Sequence, residues 1–364
     1  MTDKKPSLEE FAEADSAARF EENQRLVRER NAAQAAAAAA LAEVEALKQR
    51  LGFHEQLDAA QLSPPDWLVP KRVKSAGHRA TLGLIYADAH CGEVVDPAAM
   101  AGLNAYDLDI SRIRHEALAK KTVMLSRGGL GGADITYEGA VLFSVGDGIS
   151  GIIHEELERT NAATVLEQVL FAAEMEAGII RVLVDEFSRV HVVRVPGNHG
   201  RSRRGKPQKK TYAKDNFDWF VGKLLQREFA GDDRVTFTAP ESTDAHVRVY
   251  DTRFLVTHGN QFRGGSGISG AMAPLLLGSH RKTRKEMAAG RPYDLMVMGH
   301  FHHRLYYPSR GILMGGCLKG YDEHADDMNL EPEEASQELF LITPERGVTF
   351  TGAVGVVDRA AEGW

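Results

Sequence analysis

The chain has 364 residues, 43% hydrophobic and 26% charged, which suits a soluble globular protein of one large domain plus an appendage, or of two domains. Its formal net charge of −7 excludes nucleic-acid binding through a uniformly basic surface and leaves any such binding to local patches. No apolar run approaches the roughly 18 residues of a membrane span, the start Met1-Thr2-Asp3-Lys4-Lys5-Pro6 lacks the apolar stretch of a secretory signal, and two cysteines, Cys91 and Cys317, make no disulfide framework and point to a cytoplasmic protein.

Residues 7–57 are rich in Ala, Glu, Arg and Leu and nearly free of Gly and Pro, a composition that predicts a long helix over about residues 1–60. Ser7 and Glu10 have capping-box spacing. Val44, Leu47 and Leu51 fall at a/d spacing, and Ala33, Ala37 and Ala40 continue the seam, so the helix is expected to pair with copies of itself as a coiled coil in a homo-oligomer. Gln61-Leu62-Ser63-Pro64-Pro65-Asp66 reads as a linker, and residues 61–79 as linker and domain entry.

From residue 80 onward, strand-like runs alternate with helical stretches, an α/β layered pattern. Five short β-branched or apolar runs, Leu82–Ala87, Val141–Val145, His191–Val195, Arg253–Val256 and Leu295–Met298, read as buried strands. The helical stretches are Ser111–Ser126, Ala162–Val184 and Asn216–Phe229. The segment Cys91–Gly139 reads as helix plus a flexible loop near the mouth of the site, and its Gly128-Gly129-Leu130-Gly131-Gly132 lacks the Lys-Ser/Thr of a phosphate-binding P-loop. Three later runs, Gly311–Gly315, Leu339–Thr343 and Val348–Val357, are expected to form a second sheet packed on the first, followed by a loose tail at residues 358–364.

Each of the five buried runs is followed by residues able to ligate metal. In order these are Asp88-Ala89-His90, Gly146-Asp147, Gly197-Asn198-His199, Thr257-His258-Gly259 and Gly299-His300-Phe301-His302. Ligands at successive strand ends line one edge of a sheet. Carboxylate, amide oxygen and imidazole together suit Mn²⁺, Fe²⁺ or Zn²⁺, with Mg²⁺ a further option, and the absence of thiolate ligands argues against a structural zinc site. Cys91 reads as a small residue packed beside His90, and His303 alternates to the other face of its segment and is not counted as a ligand.

This set of strings resembles the calcineurin-like metallophosphoesterase family over roughly residues 80–320. The resemblance implies two packed mixed β-sheets flanked by α-helices, a catalytic domain over residues 80–357, and a site for two divalent metal ions, Mn²⁺ first among them. It implies Asp88, His90 and His302 on one ion, Asn198, His258 and His300 on the other, and Asp147 between them. A hydroxide shared by the ions would attack phosphorus, with His199 as the general acid that protonates the leaving oxygen. Two positions depart from the family pattern. Gly200 stands where an acidic residue often follows Gly-Asn-His, and Ser150 stands where an Asp or Asn often orients the general acid. A serine hydroxyl cannot stabilise an imidazolium as a carboxylate does.

Arg201, Arg203, Arg204, Lys206, Lys209 and Lys210 follow His199. Arg263 precedes a glycine-rich stretch leading to a second basic cluster, Arg281-Lys282-Arg284-Lys285. A basic rim of this kind suits a polyanion, with Tyr212, Phe217, Trp219 and Phe220 either stacking on bases or packing as the buried face of a helix. Together with Gly315–Glu323, it is similar to nuclease-like, phage or prophage members related to DNA-repair exonucleases. The expected function is a metal-dependent phosphodiesterase acting on nucleic acid, DNA foremost. The rivals are a phosphomonoesterase or small-nucleotide phosphatase, and a non-catalytic assembly module.

Overall fold

The computed structural model describes residues 22–45, 78–128, 135–205, 212–262 and 272–364. Residues 1–62 and 63–364 form two separate units. In the first, residues 22–45 are helical (α1), as the Ala/Glu/Arg composition predicts, and Leu26, Val27, Leu41 and Val44 are exposed along it. Leu47 and Leu51 of the expected seam lie outside the described residues.

The second unit contains two sheets. The first is built on four parallel strands: β1 (His78–Tyr86), β2 (Ile135–Ser144), β3 (Val190–Arg194) and β4 (Val235–Thr238). Two antiparallel strands, β10 (Ser336–Thr343) and β11 (Gly347–Gly355), complete the order β11-β10-β1-β2-β3-β4. The second sheet has the order β5-β6-β7-β9-β8, from β5 (Asp244–Val249), β6 (Thr252–Thr257), β7 (Leu295–Met298), β8 (Leu305–Tyr307) and β9 (Ile312–Met314). Its inner pairs, β6 with β7 and β7 with β9, are parallel, and its outer pairs are antiparallel.

The helices are α2 (Leu108–Gly128), α3 (Glu155–Thr160), α4 (Val165–Phe187), α5 (Phe217–Glu228), α6 (Met272–Ala288), α7 (Glu323–Asp327) and α8 (Arg359–Glu362). Leu82–Tyr86 of β1 and Ala140–Phe143 of β2 read as unbroken apolar runs because both faces of these central strands are covered. On β1 and β2, Leu82, Leu84, Tyr86 and Leu142 join a core with Leu118 of α2, Leu183 of α4 and Leu225 of α5. The alternate residues Ile85, Val141 and Phe143 meet Phe254, Val256 and Val297 of the second sheet. Leu275 of α6 covers the far side of that sheet with Leu255 and Met296. The result is a layered α/β fold of two mixed sheets flanked by helices.

Two expectations need correction. Of the three late strand-like runs, only the first joins the second sheet. β10 returns to pair antiparallel with β1, bringing β11 with it. The 358–364 stretch is not loose: Asp358 caps α8 by accepting the Ala361 amide hydrogen, and the carboxylate of Glu362, without solvent exposure, pairs with the buried Arg114 of α2 at 2.9 Å. Residues 129–134, which hold most of the glycine-rich stretch expected near the site mouth, lie outside the described residues.

Candidate metal centre

The parallel strands point their C-terminal ends to one edge, and the ligand strings follow those ends in loops that touch one another. The Asp88 amide donates to the Gly146 carbonyl at 3.2 Å, and the His90 amide to the Asp147 carbonyl at 3.0 Å. Gly197 is required by close approach, since a Cβ there would run into the Asp147 carboxylate. The backbone takes left-handed φ at Asp88 (50°), His90 (46°), Asp147 (52°), His300 (73°) and His302 (56°), a conformation that costs non-glycine residues energy and recurs at functional sites.

The loops bring the predicted side chains together in three groups able to hold a metal ion: Asp88, His90 and His302; His90, Asp147 and His199; and Asp147, His258 and His300. Within them, His258 Nε2 lies 2.9 Å from Asp147 Oδ2 and 3.1 Å from Asn198 Oδ1. His302 Nε2 lies 3.2 Å from His90 Nε2 and 3.7 Å from Asp88 Oδ1. His258 donates its Nδ1 hydrogen to the Val145 carbonyl at 2.8 Å, which leaves Nε2 unprotonated in the neutral ring and turned to the cluster. Asp88 Oδ1 is buried without a hydrogen-bond donor, an arrangement that is costly unless a cation faces it.

The electrostatics agree with that donor set. Burial, reinforced by the Asp147 charge and opposed by His258, pushes the Asp88 carboxyl up to about 7. Asp147 is held well below the usual carboxylate range because His258 and His199 outweigh its burial. Burial brings His300 down to about 3 with help from His258, and His302 down to about 3 with help from Lys319. Burial, opposed and outweighed by Asp147, leaves His258 raised to about 9. Two adjacent carboxylates among mostly neutral imidazoles are a natural receptor for divalent cations. The residues present therefore fit such ions.

His199 is oriented differently from expectation. Its Nδ1 donates to the Ser150 carbonyl at 2.8 Å, whereas the Ser150 hydroxyl donates to Glu93 at 3.4 Å. Ser150 thus engages His199 through its backbone, not its side chain. Gly200 is explained by Asp218: a Cβ at Gly200 would sit 2.7 Å from Asp218 Oδ2 and would run into the Asn216 side chain.

The supporting residues escaped sequence reading. Asp218 is fully buried and accepts amide hydrogens from Asp147, Gly148 and Gly197. Asn216 caps α5 and donates to the Gly197 carbonyl at 2.8 Å. Gln337 of β10 accepts from the Ala87 amide and donates to the Ala87 carbonyl, bracing the turn into Asp88. Lys319 is buried between Glu93, at 2.8 Å, and Asp322, and Glu93 lies 3.5 Å from His90 Nδ1. The available signals were Asn216 at a helix start and the Gly315–Glu323 run.

The basic rim is only partly in view, and much of it is paired. Lys206, Lys209, Lys210 and Arg263 lie outside the described residues. Half-buried Arg201 donates to the Asn198 carbonyl at 2.9 Å and the Gly205 carbonyl at 3.2 Å, adjoining the cluster. Arg203 is exposed, 3.9 Å from the Asp215 carboxylate, and Arg204 pairs with Glu158. In the second cluster Lys282 is buried against Asp244 at 2.6 Å, and Lys285 lies 3.2 Å from Glu286. Of the aromatics, Phe217 packs on the core, and the Tyr212 hydroxyl accepts from Asn260 at 3.0 Å while donating to the Gly197 carbonyl at 3.4 Å. Phe220 is exposed. Cys91 is buried beside Ser111, its thiol pushed up to about 12 by burial, so it reads as packing. His303 turns away to Glu333 at 2.9 Å.

No protein-family model matches the chain, and no curated protein matches its sequence. Among solved structures, Vps29 of Chaetomium thermophilum aligns over 75% of this chain and 94% of that one, at 11% identity with a TM-score of 0.28. A likeness at that score carries no argument, so the class of protein rests on the fold and site themselves: a two-sheet α/β protein with His/Asp groups at the strand ends able to hold metal ions. Among the described residues no helix is long and apolar enough to cross a membrane.

Proposed function

We propose that the chain is a metal-dependent phosphodiesterase of the calcineurin-like metallophosphoesterase kind, acting on nucleic acid and foremost on DNA. The observation that carries this reading is the meeting of Asp88, His90, Asp147, His258, His300 and His302 in overlapping groups at one sheet edge, with Asn198 3.1 Å from His258. In this reading Asp88, His90 and His302 hold one divalent ion, Asn198, His258 and His300 hold a second, and Asp147 serves both. Such ions, Mn²⁺ in the first instance, supply positive charge against phosphoryl oxygens and make water acidic enough to act as a nucleophile at neutral pH.

The chain's own residues supply the rest. His199, its Nδ1 engaged by Ser150, keeps Nε2 for proton exchange with the leaving oxygen. Arg201, tethered beside Asn198, presents a guanidinium to a backbone phosphate. The Glu93–Lys319–Asp322 network lies behind His90 and fixes charge there. Incubation with Mn²⁺ and labelled single- and double-stranded DNA tests the reading. Cleavage by wild type that is lost in Asp147→Ala supports it, and equal cleavage by the variant, or none by wild type, removes it.

One observation favours a second reading, a phosphomonoesterase or small-nucleotide phosphatase. The pairing of Arg204 with Glu158 and of Lys282 with Asp244 reduces the charge left for a polyanion. A chromogenic monoester assayed beside a diester separates the two. Charge reversal of Arg203, Arg204, Lys209 and Lys210 is expected to depress nuclease turnover most strongly at low salt, and to leave a monoesterase nearly as it was.

A further inference from the structure

Beside His199 stands a second imidazole that neither the ligand set nor the proton donor employs. His154 precedes α3 in extended conformation, and its side chain makes no capping hydrogen bond to that helix. Its ring lies across that of His199, with centroids 5.9 Å apart and planes at 62°. The His199 ring in turn lies 4.4 Å from that of His90. His154 is exposed, so the core does not account for its position.

The backbone that carries His154 is fixed on both sides. Gly151 donates its amide hydrogen to Gln168 Oε1 at 2.9 Å and accepts at its carbonyl from Asn161 at 2.8 Å. Gly151 has φ of 67°, and any Cβ there would strike the His199 carbonyl, so this loop lies directly against the Gly-Asn-His turn. The Ile152 carbonyl accepts from Arg204 at 3.2 Å, and Ile153 is buried. An exposed imidazole on a pinned loop, next to the proposed proton donor, is preorganised for contact with a ligand.

Resting on the phosphodiesterase reading, we propose that His154 is a substrate-contacting residue that hydrogen-bonds the leaving-group nucleotide of a phosphodiester. The side of the substrate follows from His199. The group that receives its proton must leave past that ring, and the exposed His154 ring lies 5.9 Å from it, centroid to centroid. A small aryl diester has no sugar or base to span that distance.

The test compares wild type, His154→Ala and His154→Gln on a labelled single-stranded DNA oligonucleotide and on bis(4-nitrophenyl) phosphate, both with Mn²⁺. The expected result is a fall of about two- to tenfold in the ratio of kcat/KM values, oligonucleotide over small diester, for His154→Ala, the range of one hydrogen bond. Glutamine, which still donates and accepts, is expected to recover part of the ratio. Wild type active on both substrates with an unmoved ratio in His154→Ala overturns this inference alone. Wild type inert on the oligonucleotide removes the nucleic-acid reading and the inference with it.

Discussion

One carboxylate oxygen, Asp218 Oδ2, accepts the amide hydrogens of both Asp147, at 3.1 Å, and Gly197, at 2.9 Å. It thereby joins the loop after β2 to the loop after β3, and Oδ1 adds Gly148 at 3.0 Å. In Asp218→Asn one acceptor becomes a donor facing donors. Outer-shell losses of this type lower metal affinity by about 10–100-fold. Titration calorimetry with Mn²⁺ is expected to show a loss in that range, and unchanged affinity would mean the loops hold their shape without the clamp.

If the Asp and His groups bind divalent ions, binding must stabilise the fold by linkage. At about 100 times the dissociation constant the gain is about 2.7 kcal/mol for one site. Mn²⁺ is therefore expected to raise the melting temperature of the metal-free protein, and a chelator to reverse the rise. Asp147 belongs to two of the three groups, so Asp147→Asn should lose most of the effect. A wild-type melting curve indifferent to Mn²⁺ would count against the metal centre.

Acid should destabilise the protein through two histidines remote from the metal groups. Burial lowers His191, set between Thr236 and Thr238, to about 4, and burial lowers His115, bonded to Ser111 and Tyr86, to about 4. The unfolded chain, with its histidines near 6.5, binds more protons than the folded one between the two values. Stability is thus intact above the unfolded value and declines as pH falls from there towards the folded value. His191→Gln, which can still bond both threonines, is expected to flatten part of that decline in urea titrations at successive pH values.

Arg114 and Glu362 form a buried ion pair whose side chains are both 0% exposed. Removing one partner of such a pair typically costs about 3–5 kcal/mol, because the other charge stays buried. Glu362→Ala is expected to lower the urea midpoint accordingly, less whatever the carbonyls of Lys319 and Ala105 compensate at Arg114. A midpoint shift near zero would mean that α8 is dispensable to the fold.

The seam of small and apolar residues in the first unit is proposed to pair copies of the chain. Deleting residues 1–60 is then expected to reduce the solution mass to that of one shortened chain, measured by light scattering. An unchanged number of copies would remove the coiled-coil proposal.

The five ligand strings were legible because the last residues of β1, β2, β3, β6 and β7 are buried on both faces, so these strands stand out as largely apolar runs ending at polar residues. Which sheet β10 and β11 join was not legible, since pairing with β1 depends on contacts more than 250 residues apart in sequence (Leu84 with Leu339) and leaves no local sign. The strand β5 was missed because it alternates half-buried and buried positions and carries Asp244 and Arg248. The last residues read as loose because their anchor, Arg114, is 248 positions away. Similarly, the basic rim looked freer in sequence than in space, where Glu158 and Asp244 supply partners from other elements.

The left-handed backbone at Asp88, His90, Asp147, His300 and His302 has a consequence for how the molecule responds to mutation. Each position would suit glycine better than the residue it carries, and asparagine at least as well as aspartate. Without bound cations, Asp88→Asn, which keeps an acceptor for the His300 amide and removes the repulsion from Asp147, should therefore yield a hardier protein with a disabled centre. Screening for heat tolerance alone would drift toward such inert sequences, so selection for durability here must be coupled to a readout of ion retention.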